Sequence, residues 1–248
     1  MSVHLVGGGA LEPSDAPLYA PFLAEAAARA HAAGRAVPRV AIVSIHPGGP
    51  ERAEVLHRVL AAAGEVDVHV TSSYGGEELS PSAIAEVDGI LVGGGIVEAV
   101  REGLEPLFGE LRRQVAAGVP YLGVSAGAMV AAERALGGGS RIHGVLVCPE
   151  DPSEPGIELE VEPGIGLVDG SVDPHVAQRG TLSRLVAAVE SGLTDGALGV
   201  DERTVLIVGD GGLRVVGSGS VWRVRSSGGG GGGGVSVSMI AATTGEAR

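Results

Sequence analysis

Between positions 121 and 136 the chain reads YLGVSAGAMVAAERAL, which sets Gly123, Ser125 and Gly127 in the spacing G-x-S-x-G. The residues before Ser125 are strand-like and the alanine-rich run after it is helix-like. The pattern therefore predicts a strand over 121–124, a sharp turn at the serine and a helix over 126–136. This is the local context of a serine nucleophile. The turn lifts the hydroxyl above the sheet edge, the small flanking residues leave room for a substrate, and N–H groups at the helix start face a developing oxyanion.

Such a serine needs a base. The chain has no lysine, so all 17 basic residues are arginines, which excludes a Ser/Lys dyad, a Schiff-base enzyme and a P-loop nucleotidase. The seven histidines are scattered as singles without ligand spacing, so neither a metal site nor a cofactor is expected. His31 and His57 fall in helix-like segments and His69 within a strand run, while His46 follows a strand and can border a site. His175, in DGSVDPHVAQRGTLSRL, stands in a polar loop beside Asp173, Gln178 and Arg179, and is the expected general base. It is the last histidine, and a long stretch of chain follows it. The order Ser, His, acid is thus expected rather than the Ser, acid, His of α/β-hydrolases. LGVDERTVL offers Asp201 or Glu202 as an acid at a strand end.

These residues need a scaffold. With 248 residues, 44% of them hydrophobic, the chain can bury a full core and is expected to be one domain, 1–248. Continuous apolar runs at 3–6, 40–45, 66–70, 89–92 and 121–124 alternate with helix-like segments near 20–33, 51–63 and 104–117. That pattern predicts an α/β fold with a doubly wound, mainly parallel sheet, flavodoxin-like. A helix over 181–190 and β-rich runs at 198–200, 204–208, 213–216 and 221–224 follow, with GDGG at 209–212 as the turn of a C-terminal β-hairpin. The glycine-rich stretch at 226–234 is expected to form a flexible loop, VSVSMI a last edge strand, and AATTGEAR a frayed end.

Ligands in such sheets bind beyond the carboxyl ends of the strands, where two glycine triplets lie. The triplet at 7–9 reads as a turn, and that at 93–95 as backbone donors for an oxyanion or a phosphate. Glu12 and Glu98 break G-x-G-x-x-G in both, against a dinucleotide site. A net charge of -13 disfavours nucleic acid and anionic membranes as partners. No apolar run reaches membrane-spanning length, and the first residues lack the pattern of a secretion signal, so a cytoplasmic protein is expected. The single Cys148 reads as a packing residue.

GVSAGA, GIGLVDGSVDPHVAQRGTLSRLVAAV, and LGVDERTVLIV with LRVVGSGSVWRV together resemble the nucleophile turn, histidine segment, acid strand and closing hairpin of one family. It is that of the cyanophycinase and aspartyl dipeptidase (peptidase E) serine peptidases, on a class I glutamine amidotransferase-like fold. The resemblance implies a triad at Ser125, His175 and Glu202, with an oxyanion hole from the Ala126 N–H and the Gly94 and Gly95 loop. The implied activity is hydrolysis of short aspartyl or β-aspartyl peptides through an acyl-enzyme. Substrate contacts are expected at Asp173, Gln178, Arg179 and Arg184. Ile96 stands where the family often has a polar residue, and Thr181 where cyanophycinases tend to carry an arginine, which directs the expectation to a small peptide rather than cyanophycin. A homodimer is compatible with the sequence. Alternatives are a ligand-binding relative without catalysis and an amidohydrolase acting on a small amide.

Overall fold

The computed structural model describes residues 2–150, 156–228 and 234–242. Its first half alternates strands and helices: β1 (Ser2–Val6), α1 (Ala16–Ala32), β2 (Arg39–Ile45), α2 (Gly49–Ala63), β3 (Asp67–Ser73), β4 (Gly89–Val92), α3 (Val97–Leu104), α4 (Phe108–Ala116), β5 (Tyr121–Val124) and α5 (Ala126–Ala131). The second half holds β6 (Arg134–Leu136), β7 (Arg141–Ile142), β8 (Val145–Leu146), β9 (Val161–Pro163), β10 (Ser171–Pro174), α6 (Val176–Arg179), α7 (Leu182–Glu190), β11 (Gly196–Val200), β12 (Thr204–Gly209), β13 (Gly212–Gly217), β14 (Ser220–Ser226) and β15 (Val235–Ala241).

Among the described residues, seven strands form the main sheet in the order β13-β12-β1-β5-β4-β2-β3. The five from β1 to β3 run parallel, and the β12–β13 hairpin extends the sheet, β12 antiparallel to β1 and β13 antiparallel to β12. Successive residues of each inner strand face opposite sides, so a run without polar interruptions feeds two cores. Ala41, Val43 and Ile45 of β2 pack with α3, α4 and α5, whereas Val40 and Ile42 pack with α1 and α2. This is the doubly wound sheet that the apolar runs predict. β1 and β5 are neighbours, yet the helices that follow them, α1 and α5, cover opposite faces. The chain therefore parts at their carboxyl ends, where a crevice opens.

Three features differ from the sequence reading. The helix expected over 126–136 stops at Ala131: Ala132 turns extended, with ψ 161°, and Arg134–Leu136 pair with Val161–Pro163. Strand pairing and the burial of Ala135 and Leu136 outweigh the helix propensity of alanine. The helix expected over 104–117 opens as a 3-10 turn at Glu105–Leu107, where Pro106 supplies no N–H, and continues as α4, while α3 precedes it at Val97–Leu104. Finally, β14 does not close a lone hairpin. It joins β15, β11 and β10 in a second, four-stranded sheet, packed on α7 through Leu185, Ala188, Val189, Ala197 and Val224. The GDGG turn connects β12 to β13, with Gly209 opposite Gly212, and 235–241 form an edge strand, both as expected. The loop expected at 226–234 and the frayed end fall largely outside the described residues. No helix among the described residues is long and apolar enough to cross a membrane.

The second sheet is tied to the crevice by Asp201, which is buried. Its Oδ1 accepts from the Ala177 N–H (3.1 Å) and Trp222 Nε1–H (2.9 Å), and its Oδ2 from the Ser220 N–H (2.9 Å). One carboxylate thus joins the end of β11, the start of β14 and the first turn of α6. Asp201→Ala would strand three donors, and is expected to lower the unfolding free energy by about 3 kcal/mol or more. Urea denaturation checks this, and a loss below about 1 kcal/mol would deny Asp201 that role.

Candidate active site

Ser125 sits at the crevice, between β5 and α5, with φ 53° and ψ -113°, a backbone conformation that a non-glycine residue adopts only where its surroundings enforce it. Here the enforcing contacts are visible. The Ser125 N–H donates to the Val6 carbonyl (3.0 Å) at the end of β1, and the Tyr121 hydroxyl donates to the Gly127 carbonyl (2.8 Å). A Cβ on Gly123 would overlap the Gly127 carbonyl, and one on Gly127 the Val92 carbonyl. The two glycines of the motif are therefore what permits the turn to close on the sheet.

His175 is left-handed (φ 58°) and caps α6. Its N–H donates to the Gly7 carbonyl (2.9 Å), which holds the β10 end against the β1 loop. The ring faces Ser125 through Nε2 (2.9 Å to Oγ) and Glu202 through Nδ1 (2.6 Å to Oε1). An ionised carboxylate only accepts hydrogen bonds, so Nδ1 carries the proton and Nε2 is left to accept from the serine hydroxyl. The imidazole is 13% exposed and the Glu202 side chain 34%. Burial pulls the His175 pKa below its ordinary value, and the positive charge of Arg179 acts in the same direction. The Glu202 hydrogen bond and charge, with the Asp173 charge, oppose them without reversing the result. At neutral pH the ring is a neutral base.

Glu202 occupies the turn between β11 and β12. Its N–H donates to Gln178 Oε1 (2.9 Å), and the Arg203 N–H donates to the Gly8 carbonyl (2.8 Å). The triplet at 7–9, read from the sequence as a turn, backs the whole arrangement. A Cβ on Gly8 would overlap the His175 ring, and one on Gly9 would lie 2.5 Å from Glu202 Oε2. The triplet after β1 was the visible signal, but nothing in the sequence said which side chains would lean on it. Asp201, the other acid in LGVDERTVL, is spent on the structural bonds described above.

Gly94 and Gly95 follow β4 beside the serine; a Cβ on Gly94 would lie 3.1 Å from Ser125 Cβ. Neither glycine donates its N–H to a partner among the described residues. Both glycines and Ser125 border the same space, and Ala126 begins α5 directly after the serine. Ser125 also borders a cavity of about 370 Å³, with His175, Asp173, Arg179, Thr181 and Arg184. Arg184 pairs with the fully buried Asp173 and donates from Nη1 to the Gly139 carbonyl (3.0 Å). Asp173 Oδ2, Thr181 Oγ1 and Ser140 Oγ, all on this cavity, are buried without a hydrogen-bond partner among the described residues. Buried polar atoms in that condition call for a partner, which water or a bound ligand supplies. Gln178 does not border the cavity; its amide oxygen serves Glu202 instead. Ile96 is half exposed at the mouth. Cys148 is buried on the cavity wall, and burial pushes its thiol pKa up, away from nucleophilic use.

The sequence of 51–216 matches peptidase family S51, a span that holds Ser125, His175 and Glu202. The chain belongs to peptidase family S51. Cyanophycinases of Synechococcus elongatus and Thermosynechococcus vestitus are each 39% identical to it over 119 residues, which is 47% of this chain. The matched part spans only 34% of the length of either cyanophycinase. In fold the chain is similar to a peptidase from an acI-B1 actinobacterium (TM-score 0.64, 17% identity, covering 98% of this chain and 94% of the other). It is also similar to a protein described as a peptidase E from Listeria monocytogenes EGD-e (TM-score 0.58, 16% identity, 87% and 98% covered).

The charges around His175 set a pH dependence. The base form must be neutral, so reactivity of Ser125 toward a fluorophosphonate should be complete above the His175 pKa and fall as pH drops through it. Because that pKa is held down, the acid limb is expected below pH 6.5. Arg179→Gln removes a charge that lowers the pKa, and should move the limb to higher pH. A limb that stays in place or moves down in this variant contradicts the assignment.

Proposed function

We propose that this S51 chain is a serine peptidase that hydrolyses short peptides beginning with an aspartyl or β-aspartyl residue. The observation that carries the reading is the unbroken relay from the strained Ser125 through His175 to Glu202. A chain that had given up catalysis would have no reason to keep a serine in a costly backbone conformation with its hydroxyl on a neutral imidazole.

In this mechanism Ser125 Oγ attacks the scissile carbonyl carbon while His175 Nε2 takes the hydroxyl proton. Glu202 holds the ring in the tautomer that can accept and stabilises the imidazolium that results. The N–H groups of Ala126, Gly94 and Gly95 receive the oxyanion. The C–N bond then breaks, the proton passes from Nε2 to the leaving amine, and an acyl group remains on Ser125. Water, activated by the same imidazole, attacks the acyl carbon and releases the acid. In the cavity, Asp173 Oδ2 suits a substrate ammonium, and the guanidinium groups of Arg184 and Arg179 suit its side-chain carboxylate. Gln178 acts one step removed, through the Glu202 backbone.

A turnover screen over α- and β-linked Asp-Xaa dipeptides, with cyanophycin and simple amides beside them, tests the substrate class. Hydrolysis of the dipeptides is expected, and turnover of simple amides alone would replace the peptidase reading with an amidohydrolase. On the preferred peptide, Ser125→Ala should lose at least about 10⁴-fold in kcat, and Glu202→Gln about 10³- to 10⁴-fold, with folding unchanged. A Glu202→Gln enzyme within tenfold of the parent would remove Glu202 from the relay.

A further inference from the structure

Ser125 and His175 border not one cavity but two. The second, of about 320 Å³, lies toward the β1 loop and the start of α2, where Gly8, Gly9, His46 and Arg52 join them. The two cavities differ in charge. Glu98, Glu150 and Asp173 border the first alongside its arginines, whereas among the described residues no carboxylate borders the second. In a chain with 30 acidic and 17 basic residues, a cavity walled by arginine without any acid runs against the average surface.

Arg52 is the unusual group there. It projects from the first turn of α2, its Nε is buried without a hydrogen-bond partner, and no carboxylate forms an ion pair with it among the described residues. Asp15, whose charge is felt on the same tyrosine as that of Arg52, is already engaged by Arg203 (3.3 Å) and by the Glu12 N–H (3.0 Å). An arginine with this nitrogen unpartnered and no carboxylate paired to it is able to receive an anion. His46 adds a neutral donor. Its Nδ1 accepts from the Gly48 N–H (2.7 Å), so Nε2 carries the ring proton, and burial together with Arg52 keeps the ring from charging.

An amino-terminal residue brings an ammonium and, for aspartate, a carboxylate, and the first cavity offers groups of both signs. The residue released by cleavage of a dipeptide brings a carboxylate alone, and the second cavity offers only cations and donors. We infer that the second cavity is the subsite for the departing residue, with Arg52 and His46 receiving its free C-terminal carboxylate. His175 borders both cavities and can pass its proton to an amine leaving on that side. This inference rests on the peptidase reading above.

The test compares three probes in whichever aspartyl linkage the enzyme cleaves: Asp-Leu, Asp-Leu amide, and aspartyl p-nitroanilide, which has no carboxylate on its leaving group. The parent enzyme is expected to favour Asp-Leu over its amide by about 30-fold or more in kcat/KM, the scale on which a charge-assisted pair is lost. Arg52→Leu and Arg52→Gln should abolish that preference, mainly through KM, and cost Asp-Leu at least about tenfold more than the anilide. Equal losses on all three probes would make Arg52 structural or place it on the acyl side, and overturn the inference. So would a parent enzyme that treats acid and amide alike while still cleaving the anilide through Ser125. Absence of any Ser125-dependent turnover of the anilide or the peptides would instead overturn the peptidase reading, and the inference with it.

Discussion

The site depends on a close approach that only glycine permits. Three segments far apart in the chain meet at the carboxyl end of β1: the loop at 7–9, the β10 end that carries His175, and the β11–β12 turn that carries Glu202. Side chains on Gly8 and Gly9 would stand where the imidazole and the carboxylate now lie. Three backbone bonds lock the contact, from Ser125 to Val6, from His175 to Gly7 and from Arg203 to Gly8. Each donor comes from a segment bearing one member of the relay, and each acceptor belongs to β1 or its loop. The first strand of the chain is thus the jig on which Ser125, His175 and Glu202 are aligned, and it can be so because it lies where the following helices part to opposite faces.

Local pattern made much of this legible. Inner strands buried on both faces read as uninterrupted apolar runs, so 40–45, 89–92 and 121–124 could be placed almost to the residue, and Gly123 and Gly127 announced the turn at Ser125. What stayed hidden was decided by partners distant in sequence. The residues 134–136 look helical alone and become a strand only because 161–163 lie beside them. Gln178, crowded against His175 in the sequence, turns to the Glu202 backbone because α6 packs under that turn. Nothing local distinguishes Arg52 from a solvated arginine in a first helical turn. It is set apart by having no ion pair among the described residues, which no short window of sequence displays.

Electrostatics divides the labour among residues of similar type. Asp201 and Glu202 are adjacent, yet one is buried with three donors and holds the second sheet, while the other meets a ring nitrogen. Arg184 is matched by Asp173, whereas Arg179 bears on His175 and opposes the charging that Glu202 favours. The His175 ring is therefore balanced between a carboxylate that orients it and a burial that keeps it neutral, the state in which an imidazole can accept a proton.

The most direct measurement is the rate at which a fluorophosphonate labels Ser125 in Gly9→Ala, set against Gly34→Ala. Both glycines have a positive φ, of 66° and 78°, but a Cβ on Gly34 meets nothing within 4 Å, so the pair separates the backbone cost of alanine from displacement of Glu202. The account predicts a loss of about 10²-fold or more in Gly9→Ala, with far-UV circular dichroism unchanged, and a rate near the parent in Gly34→Ala. Undiminished labelling in Gly9→Ala would contradict the claim that β1 and its glycines align the relay.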